Sequence, residues 1–234
     1  MFVQILTLSL FAIAQSAGLY GWDTHAVKKS STVDCLKSNN DAQFIVLTAL
    51  DSNIVVDPDV CNELKWAQDS NIPHRDVKFI PCPTCAMTAA DQFAVMLNNL
   101  NANCSEGSWS GRVWMDVNSN NLWITNSGDA GYTSNQKWFE QMIDACVNTR
   151  GVTCGLYSAH DEYKWIFGSV EYTYAPATAL PLWYSPDGSK TVTPDNFDDF
   201  SPFGGYTVPY AKQYLYSYMV CNLPYLYADW APVW

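Results

Sequence analysis

The sequence carries little positive charge. Its 234 residues include 12 Lys and Arg against 23 Asp and Glu, so the formal net charge is −11. A chain of this charge repels phosphate backbones, which excludes nucleic acid as the expected partner. No G-x-G-x-x-G follows the first predicted strand, at residues 18–23, which disfavours a dinucleotide site. We expect neither a cofactor nor a metal, and interpret the acidic run at 195–200 as a solvated loop.

The chain also lacks a second long apolar run. Residues 1–16, MFVQILTLSLFAIAQS, are apolar, uncharged and followed by small residues, which is typical of a secretory signal peptide, although the start has no Lys or Arg. No later stretch is long enough to cross a membrane, and no linker divides residues 17–234. We therefore expect one monomeric domain that is secreted or lumenal, in extracellular space, a gut lumen or an acidic vacuole.

Eight cysteines form an even set, which behind a signal peptide predicts up to four disulfides. They lie at positions 35, 61, 82, 85, 104, 146, 154 and 221. Cys82 and Cys85 in PCPTC also match half of a zinc site or a redox pair. The chain has no second C-x-x-C, so a structural bridge between these two is the favoured interpretation.

Apolar runs alternate with helical patterns along most of the chain. Near-continuous apolar runs predict strands at 18–23, 43–50, 76–82, 112–117 and 153–158, and looser strands at 180–185 and 210–216. The second helix is expected to have Asp57 as its N-cap and Pro58 at its first position. This order calls for a parallel sheet, either doubly wound or a (β/α) barrel. The strand number favours a small, incomplete barrel.

Five polar residues lie at the predicted ends of strands. They are Asp23, Asp51, Lys78, Asp116 and Asn118. In (β/α) barrels the chemistry collects at the carboxyl ends of the strands. A carboxylate after a buried strand is also costly unless it has a partner or a role. The sequence therefore predicts a site at this end of the barrel.

Several stretches carry a resemblance to a known family. They include GLYGWDTHA, VKFIPCPTC, GRVWMDVNS, CGLYSAHDEYKWIFGS, LPLWYSPDG and DDFSPFGGYTVPYAKQY, in the family's order and across nearly all of residues 17–234. The chain resembles the family-25 glycoside hydrolases, the Chalaropsis-type lysozymes, and looks closest to the secreted branch of nematodes and amoebae. The resemblance implies a flattened barrel of five β/α units plus three closing strands. It also implies peptidoglycan or a related amino-sugar polymer as the ligand.

The resemblance also implies site residues. In the family the fourth strand ends Asp-x-Glu, where Glu is the general acid and base and Asp steadies the acetamido group of the substrate. Asp116 matches this Asp, but Asn118 stands at the Glu position. Asp23 matches an Asp of the first strand, and Asp229 is a looser match to one near the C-terminus. An amide has no proton to give near neutral pH, so hydrolysis is expected to be reduced or lost.

Other positions depart from the family pattern. Relatives commonly carry an aromatic pair on the third strand, where this chain has Lys78 and Ile80. They commonly end the second strand with a basic residue and an aromatic, where this chain has Thr48 and Leu50. Together these changes indicate a pocket that holds its ligand differently. Lys78 and Ile80 are therefore candidate substrate-binding positions.

Trp183 and Gln213 lie in family-like stretches and are further candidates for contact with a sugar. Each candidate also has a simpler interpretation. Asp23 and Asp116 could be structural carboxylates, and Asp229 could be a surface residue. Most of the 10 Trp and 14 Tyr are explained by packing.

Three functions follow from these observations. The first is a secreted lysozyme-family protein of innate defence or bacterial digestion, with hydrolysis reduced or lost because of Asn118. The second is an active lysozyme that uses another carboxylate, such as Asp51. The third is a non-catalytic glycan-binding or immune-regulatory protein.

Overall fold

The computed structural model describes residues 18–25, 27, 29–118, 122–124, 128–186, 194–221 and 223–234. Residues 1–16, with the predicted signal peptide, lie outside these ranges. The strands are β1 (Leu19–Thr24), β2 (Phe44–Leu50), β3 (His74–Phe79), β4 (Arg112–Val117), β5 (Thr153–Ser158), β6 (Leu182–Tyr184), β7 (Ala211–Val220) and β8 (Leu223–Ala231). The helices are α1 (Ser30–Asn40), α2 (Val60–Asp69), α3 (Ala89–Asn103), α4 (Asp129–Val147), α5 (His160–Phe167) and α6 (Ala175–Thr178).

The eight strands form a closed barrel in chain order. Strands β1 to β7 run parallel to their neighbours, whereas β8 is antiparallel to both β7 and β1. This confirms five β/α units followed by three closing strands. The ring of strands is closed, and the barrel is incomplete only in its outer layer of helices. Across the described ranges no helix follows β6, and none is long and apolar enough to cross a membrane.

Strand β2 shows why the runs are apolar on both faces. All seven of its residues are buried. Ile45 and Leu47 pack in the outer core under the helices, while Phe44 and Val46 fill the inside of the barrel. A strand covered on both sides loses the alternation of a half-exposed strand, so it reads as a continuous apolar run.

Aromatic rings close the amino end of the barrel. Phe44 stacks on Trp234 with 3.7 Å between ring centroids, and Trp114 lies 5.5 Å from Trp234. Two strand glycines leave room for these rings. A Cβ at Gly21 would lie 2.3 Å from the ring of Phe44, and one at Gly155 would lie 2.5 Å from that of Trp114. The floor is therefore packed, which leaves the carboxyl end for a site.

A buried carboxyl group, Asp76, lies in this floor. It accepts hydrogen bonds from the indole nitrogens of Trp114 at 3.0 Å and Trp234 at 2.9 Å. Arg112 lies 3.7 Å away. Burial raises the pKa of Asp76 to about 6, although Arg112 and the indoles oppose the rise. Asp76 therefore holds the rings in register but carries a desolvation cost when ionised.

All eight cysteines are paired, and none is free. The bridges are Cys35–Cys221, Cys61–Cys104, Cys82–Cys85 and Cys146–Cys154. This confirms the four-bridge prediction and the favoured Cys82–Cys85 pairing. Cys35–Cys221 ties α1 to the turn between β7 and β8, across 186 residues of sequence.

The start of α2 differs from its prediction. The helix begins at Val60 with Asp59 as its N-cap, so the assignment of Asp57 as N-cap and Pro58 as first helical residue is wrong. The backbone N–H of Asp59 donates to the Asp57 carboxylate at 2.8 Å. This bond forms a turn ahead of the helix, and it delays the first helical turn by two residues.

Candidate active site

The mouth of the barrel is built around a buried ion pair. Lys78 Nζ of β3 lies 2.6 Å from Asp23 Oδ2 of β1, and both side chains are almost fully buried. Burial opposes the charge of Lys78, but Asp23 and then Asp116 favour it, and the net effect raises the pKa of Lys78. The lysine is therefore a firmly protonated cation inside an acidic mouth.

Asp116 lies at the end of β4 beside Tyr157 of β5, its partner in register. Asp116 is buried, whereas Asn118, two residues further on, is half-buried. The charge of Asp116 acts on both Lys78 and Tyr157. The charge of Asp116 therefore reaches the groups of the mouth, and Asn118 follows two residues further along the chain.

Gln213 of β7 connects the groups of the mouth. Its Oε1 accepts a hydrogen bond from the Tyr157 hydroxyl at 3.0 Å, and its Nε2 donates to Asp23 Oδ2 at 3.4 Å. The Ser185 hydroxyl also donates to its Oε1 at 3.4 Å. Burial, followed by the charge of Asp116, raises the pKa of Tyr157 well above its usual value. The phenol therefore stays protonated and serves as a donor.

Asp229 lies deeper in the barrel than Asp23. In the register of β1 with β8, Asp229 pairs with Gly21, whereas Asp23 pairs with Tyr227 nearer the mouth. Its side chain has no exposed surface, so the interpretation of Asp229 as a surface residue is wrong. Burial, and then the charge of Asp23, raise its pKa well above the ordinary aspartate value. Asp229 therefore binds its proton more tightly than an ordinary aspartate.

Trp183 supports Asp229 from below. Its indole nitrogen donates to Asp229 Oδ1 at 3.1 Å, and its side chain is fully buried in the inner core. The ring of Trp183 lies 4.5 Å from that of Tyr157. Its observed contacts hold the acidic mouth in place, and its contact with a sugar stays a prediction.

Three oxygen atoms of this region have no hydrogen-bond partner among the described residues. They are Asp23 Oδ1, Asp229 Oδ2 and Thr48 Oγ1, all fully buried. Buried polar atoms are nearly always satisfied by protein, water or ligand. Thr48 pairs in register with Lys78, which places its hydroxyl beside the ion pair. None of the three has appreciable exposed area, so enclosed water would satisfy them without any ligand.

The four positions that depart from the family pattern do not all line the mouth. Lys78 and Thr48 belong to the mouth, as described. Leu50 lies in the outer core under the helices, so it does not line the mouth. Ile80 is buried just beyond β3, and its backbone N–H donates to the Leu50 carbonyl at 3.0 Å. A register shift between Thr48 and Leu50 turns the end of β2 outward.

The carboxylate of Asp51 accepts hydrogen bonds from the turn that follows β2. Its Oδ1 accepts from the backbone N–H groups of Asn53 and Val55, each at 2.9 Å. The side-chain amide of Asn53 donates to its Oδ2 at 3.4 Å. These bonds close the loop after β2, which disfavours Asp51 as a proton donor in the mouth.

Tyr157 was missed as a site residue from the sequence. Tyr157 shares a strand face with Gly155, and the inward direction of that face was readable from alternation. The partner of Lys78 was not readable, because Asp23 lies 55 residues away in the sequence. No group of three or more His, Cys, Asp or Glu in the described ranges is arranged to hold a metal ion.

Fold and site together define a class of protein. A (β/α) barrel with several carboxyl groups at the carboxyl ends of its strands has the architecture of a barrel glycosidase. Comparison with known sequences agrees. Residues 14–214 match the family model described as "Lysozyme-like protein 1". The chain belongs to this lysozyme-like family, within the family-25 glycoside hydrolases.

Individual relatives support the assignment. "Probable GH family 25 lysozyme 2" of Dictyostelium discoideum is 31% identical over 214 residues, which cover 89% of this chain and 90% of the relative. "Probable GH family 25 lysozyme 4" of the same organism is 30% identical over 198 residues, with 83% and 82% covered. The bacterial lysozyme structure from Streptomyces coelicolor has a TM-score of 0.65 at 15% identity and covers 92% of each chain, a likeness of fold.

Proposed function

We propose that this chain is a secreted lysozyme-family protein that binds peptidoglycan or a related amino-sugar polymer at the barrel mouth, with hydrolysis reduced or lost. The proposal depends on Asn118, the half-buried residue two positions beyond Asp116, where the family carries its acid–base Glu. Glycoside cleavage needs a proton on the leaving oxygen, and an amide does not supply it. The names of the relatives support the substrate class.

The other groups of the mouth are poor substitutes for the missing acid. Lys78 has a raised pKa, which makes it a weaker acid than an ordinary lysine. Tyr157 has a pKa raised well above its usual value. Asp229 is protonated more readily, but its side chain is fully buried beneath Asp23, out of contact with a ligand. Each fails on acidity or on access, so the loss of a general acid, about 10²–10⁴-fold in rate, is uncompensated.

A second candidate is a non-catalytic glycan-binding or immune-regulatory protein that uses the same mouth. The Lys78–Asp23 pair favours it, because the ammonium engages the first-strand carboxylate that the family uses in its site. The remaining candidate, an active lysozyme that uses Asp51, is disfavoured by the turn that Asp51 closes.

Two measurements on the purified protein test the proposal and separate it from an active lysozyme. The first is co-sedimentation with insoluble peptidoglycan, and the second is release of reducing ends from the same material. We expect binding with little or no release. Release that survives Asp116→Asn would contradict the proposed site, and failure to bind would contradict the proposed ligand. Asp129→Asn, at the exposed start of α4, is the matched control for the change of charge.

Secretion is part of the proposal. The four disulfides support an oxidising compartment, and residues 1–16 have the composition of a signal peptide. N-terminal sequencing of protein recovered from the medium of a eukaryotic host is expected to begin near Ala17. Retention of Met1 in the recovered protein would contradict cleavage.

A further inference from the structure

The end of α3 carries the one Asn-x-Ser/Thr sequence of the chain, Asn103-Cys104-Ser105. In secreted proteins this sequence is the acceptor signal for N-linked glycosylation, provided that its middle residue is not proline. Asn103 is the last residue of α3, and the backbone leaves the helix at Cys104, where φ is −83° and ψ is 140°. The acceptor therefore lies where a helix passes into a loop.

Both polar residues of this signal are open to solvent. Asn103 and Ser105 are exposed, whereas Cys104 between them is half-buried. Helix α3 begins after β3, at the carboxyl end of the barrel, and ends before β4, at the amino end. Asn103 thus lies at the end of the barrel opposite the mouth. A bulky, polar oligosaccharide has space there and leaves the mouth uncovered.

The folded chain holds this segment in place on both sides. Cys104 forms a disulfide with Cys61 of α2, which closes a loop across 43 residues of sequence and restricts the conformations of the chain. Further along, the guanidinium of Arg75 donates to the carbonyl oxygens of Gly107 and Ser108, each at 2.8 Å. A segment fixed in this way does not reshape itself to fit the active site of a transferase. The sugar therefore has to be attached before the bridge forms.

We propose that Asn103 carries an N-linked oligosaccharide, and that its attachment competes with formation of the Cys61–Cys104 bridge. The inference goes beyond the proposed function but rests on the secretion that belongs to it. The oligosaccharide comes from a lipid-linked pyrophosphate donor. A bond forms between Asn103 Nδ2 and C1 of the first sugar, the bond from C1 to the pyrophosphate oxygen breaks, and Nδ2 loses one proton. The lipid pyrophosphate is the leaving group, and nothing is oxidised or reduced.

The competition follows from the order of the two cysteines along the chain. Cys61 precedes Cys104, so the bridge is able to close as soon as Cys104 enters an oxidising compartment. The acceptor Asn103 becomes accessible at the same moment. Chains whose bridge closes first are expected to stay unglycosylated, so the parent should be glycosylated only in part. Any change that delays the bridge should raise the glycosylated fraction.

The first test is the mass of the full chain secreted by cultured mammalian cells, before and after treatment with peptide N-glycosidase F. We expect the glycosylated part of the parent to lose mass, with the side-chain amide of Asn103 converted to a carboxylate. Asn103→Gln and Ser105→Ala should show no loss. Asn101→Gln is the matched control and should behave as the parent, because Asn101 is exposed on the same turn of α3 but has no Ser or Thr two residues later.

The second test measures the competition by translating the full chain in the presence of microsomes, with and without dithiothreitol. We expect the glycosylated fraction of the parent to rise with dithiothreitol, and that of Cys61→Ser to be high in both conditions. Glycosylation in microsomes does not depend on export, so a variant that misfolds is still measured. Cys146→Ser opens the bridge to Cys154 instead, and as the matched control it should behave as the parent.

Each outcome decides the inference. A secreted parent that loses no mass would overturn the glycosylation site and leave the proposed function in place. A glycosylated fraction that responds neither to dithiothreitol nor to Cys61→Ser would overturn the competition. A chain that stays in the cytosol would contradict secretion, and the inference would fall with it. A glycan at Asn103 on a chain that does not bind peptidoglycan would support the site and contradict the proposed ligand.

Discussion

Removing the ammonium of Lys78 tests how the mouth is held together. The pair Lys78–Asp23 has a separation of 2.6 Å, and its side chains are 6% and 1% exposed. Lys78→Met keeps the stem but leaves Asp23 buried without its cation. Breaking a buried ion pair on one side costs about 3–5 kcal/mol. That loss is a large part of the 5–15 kcal/mol by which domains of this kind are stable.

The assay is urea unfolding at pH 7 in a double-mutant cycle. Asp23→Asn alone leaves the lysine unpaired, whereas the double variant removes both charges. We expect the double variant to be less destabilised than the sum of the single variants, by at least about 2 kcal/mol. Lys65→Met is the control, since Lys65 forms an exposed ion pair with Asp69 on α2 and should cost under about 1 kcal/mol. Additive losses in the cycle would refute the coupling.

Three further predictions concern the barrel frame. The pKa of Asp76 is raised from 3.8 to about 6, so the folded state binds this proton more tightly than the unfolded state does. The bound proton therefore stabilises the fold by about 3 kcal/mol below pH 4, and this stabilisation is lost as the pH rises through 6. Asp76→Asn should remove this pH dependence from the free energy of unfolding. Replacing both Cys35 and Cys221 by Ser should lower the free energy of unfolding by up to roughly 5 kcal/mol in denaturant titrations. Under reducing conditions, where the parent also lacks this bridge, the parent and the variant should have the same Tm. Gly155→Ala should lower Tm markedly, because its Cβ would meet the ring of Trp114 at 2.5 Å.

The barrel was readable from the sequence because its strands are continuous apolar runs separated by amphipathic helices. The even cysteine set likewise predicted full pairing. The start of α2 was predicted two residues too early. An Asp followed by Pro fits both a helix N-cap and a turn, and here the side chain of Asp57 forms the turn. The complete closure of the ring depends on β8 pairing with β1, a contact between the two ends of the domain that no local pattern contains.

The site was readable in part. Strand ends pointed to Asp23 and Asp116, because parallel strands bring their carboxyl ends together. The departure from the family pattern singled out Lys78 as a candidate for substrate binding, but its ion pair with Asp23 required the fold. The depth of Asp229 was not readable, since the antiparallel register of β8 decides it.

The most direct test of the central claim is the rate of reducing-end release from peptidoglycan by Asn118→Glu beside the parent, from pH 4 to 7. If the missing acid limits hydrolysis, the parent should release almost nothing. Glu should raise the rate by roughly 10²-fold, and Asp116→Asn in that background should abolish the gain. An inactive but folded Asn118→Glu would favour the binding protein, with Lys78 and Thr48 reshaping the mouth. A parent that is already fully active and indifferent to Asp116→Asn would contradict the account.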